Sequence, residues 1–133
     1  MEKIFDNKGK MLAVIVSPSQ WQRGLDFITS DEEFIQVGTW NYDKGKVLDR
    51  HYHNIVDRSS HLTQECVVVM SGSMIIKIYD DEQVFICEKK LISGDFAVLL
   101  AGGHGYEIQE DDTRIIETKN GPFLGVGLDK TRF

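Results

Sequence analysis

Cysteine and proline are nearly absent from this chain, two of each among 133 residues. Cys66 and Cys87 form no C-x-x-C pair, so reduced thiols are expected rather than a disulfide framework or a cysteine metal cluster. No apolar run approaches the ~20 residues that a membrane-spanning helix needs. The first ten residues, MEKIFDNKGK, lack the apolar stretch and cleavage site of a signal peptide, so the expected location is cytoplasmic. Basic clusters are missing as well. Fifteen basic against twenty-one acidic residues give a net charge of −6, which argues against a nucleic-acid partner. Also missing is any amphipathic run of about 11 residues at helical period, and that absence favours an all-β chain.

What is present is a series of short β-type runs separated by turn signals. KIFD and MLAVIVS flank the hairpin signal Asn7-Lys8-Gly9-Lys10. LDFIT, FIQVGTWNY, VLDRHYH, ECVVVM, MIIKIY, VFICEKKLI, FAVLL, YEIQ and TRIIETK follow. Turn signals at roughly 8–12-residue spacing are the mark of a sandwich or jelly roll. With 41% hydrophobic and 27% charged residues, the length suits one domain with a core of its own. N-terminal strands are expected over 1–39, a barrel over about 40–120 and an irregular C-terminal arm over 121–133. MLAVIV is apolar at every position, which predicts either a covered core strand or a strand edge pairing with a second copy of the chain. A homodimer is the resulting expectation.

Three of the four histidines, His51, His53 and His61, fall between Gly45 and Gly72. If VLDRHYH is a strand, His51 and His53 leave the same face of it. Glu65 opens ECVVVM, and a carboxylate at the head of an apolar strand is costly to bury unless paired or coordinated. An arginine (Arg50, Arg58 or Arg114) would satisfy it; so would a metal ion shared with the histidines. Cys66 follows Glu65 directly and therefore faces the other side of the same strand, as a small core residue. His104 sits in AGGHGYE, where Gly102 and Gly103 allow the sharp backbone turn that carries it inward.

The order G-x5-H-x-H … E-x6-G, followed by G-D-x-x-x-L-x-A-G-G-H, resembles the two motifs of the cupin superfamily. The resemblance spans roughly residues 40–120. It implies a single-domain jelly-roll barrel (a double-stranded β-helix) with a divalent metal, Fe, Mn, Ni, Co or Zn, in the barrel mouth. By residue match the implied ligands are His51, His53, Glu65 and His104. Here eleven residues separate His53 from Glu65, more than the family's motif usually places there, and Leu100 stands where proline is usual. His61, four positions before Glu65, is the reserve ligand.

A set of three histidines and one glutamate leaves positions open on an octahedral ion for water, dioxygen or a bidentate ligand. Arg58, Gln64, Tyr106 and Glu117 are the candidates for contact with that ligand. The expected function is a metal-binding cupin that acts on or binds a small polar metabolite, as an oxygenase or a carbohydrate isomerase/epimerase. A non-catalytic ligand-binding cupin and a purely structural metal are the alternatives, since one fold hosts many chemistries.

Overall fold

The computed structural model describes all 133 residues, Met1 to Phe133. Its ten strands are β1 (Glu2–Phe5), β2 (Met11–Val16), β3 (Gly24–Phe27), β4 (Gly38–Asn41), β5 (Glu65–Ser71), β6 (Ser73–Tyr79), β7 (Phe85–Ile92), β8 (Phe96–Leu99), β9 (Gly103–Ile108) and β10 (Arg114–Lys119). A 3-10 turn at Pro18–Gln20 and one helical turn, α1 (Val126–Asp129), are the only helical pieces. The all-β expectation therefore holds. The strands form three antiparallel sheets, of order β1-β2-β8-β5-β10, β7-β6-β9 and β3-β4, rather than one closed hydrogen-bonded barrel.

Period-two patterning places the core. From the five-stranded sheet, Ala13 and Ile15 of β2, Val67 and Val69 of β5, and Ala97 and Leu99 of β8 share one face. Met74, Ile76 and Ile78 of β6 and Leu91 of β7 meet them from the three-stranded sheet. Ile76 and Leu91 are fully buried; removing a side chain of that size from water is worth about 1.5–3 kcal/mol. The alternate residues, Val14, Val16, Cys66, Phe96, Val98 and Leu100, build a second cluster on the opposite face. Trp21, Ile28, Ile35 and Val37, from the segment that carries the β3–β4 hairpin, cover it. The molecule thus has three layers, with the five-stranded sheet in the middle.

This layering decides between two alternatives for one segment and corrects the expectation for another. MLAVIV (β2) is hydrogen-bonded to β1 on one side and β8 on the other, and its residues are buried by the chain's own two clusters. It has no free edge, and the ground for expecting a homodimer through it is removed. VLDRHYH forms no strand; residues 42–64 contain no regular element. Neither parity of that segment carries an apolar face: Val47, Asp49, His51 and His53 alternate with Leu48, Arg50, Tyr52 and Asn54. Such a segment gains nothing from one-sided burial, and both edges of β5 are already taken by β8 and β10. FIQVGTWNY likewise shortens to β4, and LDFIT begins one residue earlier as β3.

Candidate functional site

Glu65 is the first residue of β5 and is 4% exposed. Its parity with Val67 and Val69 sends it towards the three-stranded sheet. His104 reaches the same place from β9, opposite Ile78 of β6. The turn before β9 makes this possible: Gly102 has φ +70°, and a Cβ there would lie 2.2 Å from the Tyr79 carbonyl oxygen. No other residue fits that turn without displacing backbone. His104 Nε2 stands 3.4 Å from Glu65 Oε2, longer than a well-formed hydrogen bond. Oε2 is buried and has no hydrogen-bond partner. Lys130 Nζ lies 3.9 Å from the other carboxylate oxygen. The imidazole beside Glu65 holds its carboxyl below the usual carboxylate range, against the opposing effect of burial, with Lys130 and Lys119 adding to the lowering.

The pair opens into a cavity of about 550 Å³, within the size range of small-molecule sites. Its wall includes His61, Thr63, Gly103, Asn120, Lys130 and Phe133. The C-terminal arm closes one side through several contacts. Thr63 Oγ1 donates to Asp129 Oδ1 at 3.0 Å, Lys119 Nζ lies 3.6 Å from Asp129 Oδ2, and the Phe133 ring sits edge-on to Tyr79 with centroids 5.2 Å apart.

The structure brings Glu65 and His104 together, as expected, and adds His61 to the same cavity wall. His61 is held edge-on to Phe34, ring centroids 5.0 Å apart. His51 and His53 are elsewhere. Both are exposed in the 42–64 segment, their rings packed edge to face at 5.3 Å, with His51 Nδ1 3.0 Å from the Asp49 carbonyl oxygen. Neither is part of the cavity wall. No three His, Cys, Asp or Glu side chains converge on a single point. Two donors do fit an ion: ligands ~2.1 Å from one metal are about 3.0–3.4 Å apart at octahedral or tetrahedral angles, the separation between Oε2 and Nε2. An orphaned buried carboxylate oxygen facing an imidazole nitrogen is the donor chemistry of such a site.

None of the four ligand-contact candidates is part of the cavity wall. Tyr106 shares strand parity with His104 and packs against its ring, centroids 5.3 Å apart. Burial, then the charges of Glu65 and Glu117, push its phenol well above the ordinary value. Glu117 stands opposite Val67 on β10, 3.8 Å from Lys119. Gln64 is instead a tether. Its side-chain oxygen accepts from the Ile35 N–H at 3.0 Å, and its amide donates to Glu33 at 2.5 Å and to the Leu100 carbonyl at 3.2 Å. Arg58 is exposed in the 42–64 segment, outside the cavity wall. None of Arg50, Arg58 or Arg114 pairs with Glu65; the groups beside it are the His104 imidazole and the Lys130 ammonium. Cys66 faces away as expected, its thiol pushed up to about 11 by burial.

Lys119, Asp129 and Lys130 were missed by the reading of the sequence. The alternation Glu117-Thr118-Lys119 carried a signal for the first, since it puts Lys119 on Glu65's face. Nothing local marks Asp129 or Lys130. No helix is long and apolar enough to cross a membrane. No family model, no curated protein and no solved structure matches the chain, so the cupin resemblance rests on the motif residues alone.

Proposed function

We propose that this chain is a small cupin-like protein that holds one divalent transition metal at Glu65 and His104 and uses it to bind, and in the enzyme reading to transform, a small polar metabolite. The observation that carries this reading is the buried Glu65 oxygen that faces the His104 imidazole without a hydrogen bond, at the floor of an open cavity. His61 lines that cavity while His51 and His53 do not, so it is the candidate third ligand, and it would have to swing towards the pair because no three donors converge as the side chains stand. Iron, manganese, nickel, cobalt and zinc all suit a carboxylate–imidazole set. A bound ion would supply Lewis-acid polarisation of a ligand oxygen. Of the chain's own residues, Lys130 on the cavity wall favours an anionic ligand such as a hydroxy-acid or keto-acid. Oxygenase and carbohydrate isomerase/epimerase remain the reaction classes, with non-catalytic ligand binding beside them.

The test is metal titration of untagged protein, followed by calorimetry and circular dichroism. Binding of about one ion per chain is expected, lost in His104→Ala and His61→Ala and kept in His53→Ala. The opposite outcome for His53 and His61 assigns the site to the H-x-H pair. No binding of any of the five metals removes the metal reading and leaves Lys130 as Glu65's counter-ion. Because the core between the two larger sheets contains no metal ligand, a chelator should leave the β spectrum intact while hydroxy-acid binding disappears.

A further inference from the structure

A second cavity, of about 460 Å³, opens on the outer face of the five-stranded sheet, which separates it from the Glu65 pocket. Its floor is Cys66 and Val68 of β5 with Phe96 of β8, and its walls are Trp21 and the β4 residues Thr39 and Trp40. No charged side chain lines it. Two of the wall residues carry an orphaned polar atom just behind this apolar lining. The Thr39 hydroxyl, on a residue 3% exposed, and the Trp21 indole nitrogen are both buried and have no hydrogen-bond partner. Buried polar atoms in folded chains are nearly always paired, so two orphans on one cavity call for a reason. The wall that carries Thr39 can give way. β3 and β4 pair only with each other, and apart from the Gln64 tether to Ile35 and Glu33 the hairpin rests on the sheet through side-chain packing. Trp40, at its rim, is 57% exposed.

We propose that this outer cavity binds a small, uncharged, largely aromatic molecule bearing one carbonyl-type acceptor, which takes hydrogen bonds from the Trp21 indole N–H and the Thr39 hydroxyl. The ligand is uncharged because an ion in this lining has no counter-charge and loses its hydration. It is aromatic because two indoles and a phenyl ring, Trp21 standing edge-on to Phe96 at 6.4 Å, offer offset and edge-to-face packing. The site lies on the opposite side of β5 from the proposed metal and does not depend on it.

The probe is 2-acetylnaphthalene, with naphthalene (no acceptor) and 2-naphthoate (charged) as shape-matched controls. The readout is the indole N–H region of the ¹H–¹⁵N spectrum. The chain has two tryptophans, so two peaks appear, and Trp21→Phe assigns them. Saturable movement of the Trp21 peak by 2-acetylnaphthalene is expected. 2-Acetylnaphthalene should bind Thr39→Val about fivefold more weakly, having lost one hydrogen bond worth roughly 1 kcal/mol, and naphthalene, which loses both, should bind the parent about thirtyfold more weakly. Naphthoate should be weaker by about tenfold or more. Thr39→Val deletes an unpaired hydroxyl, so it should fold at least as well as the parent, and its melting curve verifies that. The proposal is overturned if the Trp21 peak does not saturate, or if Thr39→Val binds as tightly as the parent. It is also overturned if the peak broadens with protein concentration and not with probe, which would mean that a second copy closes this face.

Discussion

Strand β5 separates two environments that differ in kind. On its inner side Glu65 precedes Val67 and Val69, in a layer closed by Met74, Ile76, Ile78 and Leu91. That layer is dry except at its end, where a buried carboxylate meets His104 beside a polar cavity. On its outer side Cys66 and Val68 face a cavity walled by a hairpin, with no charge in it. A strand that buries both faces needs two coverings, and this chain supplies them unequally. A three-stranded sheet covers the inner side, while the segment carrying the two-stranded hairpin covers the outer. The buried charge sits at the inner end, beside the C-terminal arm, and the outer covering lies over neutral groups. A buried carboxylate needs close partners, because the attraction that offsets its desolvation weakens as they move away.

The largest effect should come from the inner layer. Ile76→Ala, at a fully buried position, is expected to cost about 2–5 kcal/mol in a urea melt. A loss below that range would show that the inner layer repacks as readily as the outer one. Next comes the charged end of the same layer. With metal at about 100 times its dissociation constant, the parent should gain roughly 2.7 kcal/mol, and Glu65→Gln should gain none. Without metal, Glu65→Gln should change stability by less than about 1 kcal/mol, since the favourable contacts of the carboxylate with the His104 imidazole and Lys130 oppose the cost of burial. Thermal melts with and without each ion read both numbers, and an equal gain in the variant would move the metal off Glu65. The smallest effect belongs to the outer side. Val68→Ala, at a half-buried position under the hairpin, should cost about 1 kcal/mol or less, because the site can collapse or admit water. A cost equal to that of Ile76→Ala would mean that the outer face is as firmly covered as the inner one.

Much of this contrast was legible in the residues. Glu65 and Cys66 had to face opposite sides once ECVVVM was a strand, and the structure places them so. Gly102 and Gly103 announced the turn that carries His104 inward, and Gly102 adopts the positive φ that turn requires. Residues 47–53 carry two histidines at strand spacing but no apolar face at either parity, and they form no strand. A spacing of two is compatible with a strand but does not create one. Gln64 was taken for a ligand contact, yet its amide ties the chain before β4 to β5 and β8 through hydrogen bonds whose partners lie about thirty residues away.

By itself the sequence determined what depends on neighbours along the chain: strand positions, which face each residue takes, and the turns that glycine permits. Only the tertiary structure decided what depends on residues far apart in the sequence. It put His61 rather than His51 or His53 on the cavity wall, laid Asp129 and Lys130 of the C-terminal arm beside Lys119 and Glu65, and set the hairpin over Cys66 and Phe96. The physical reason is that side-chain alternation follows from backbone geometry within a few residues. Which surfaces then meet is settled by how several sheets bury their apolar faces at once, and no local spacing encodes that.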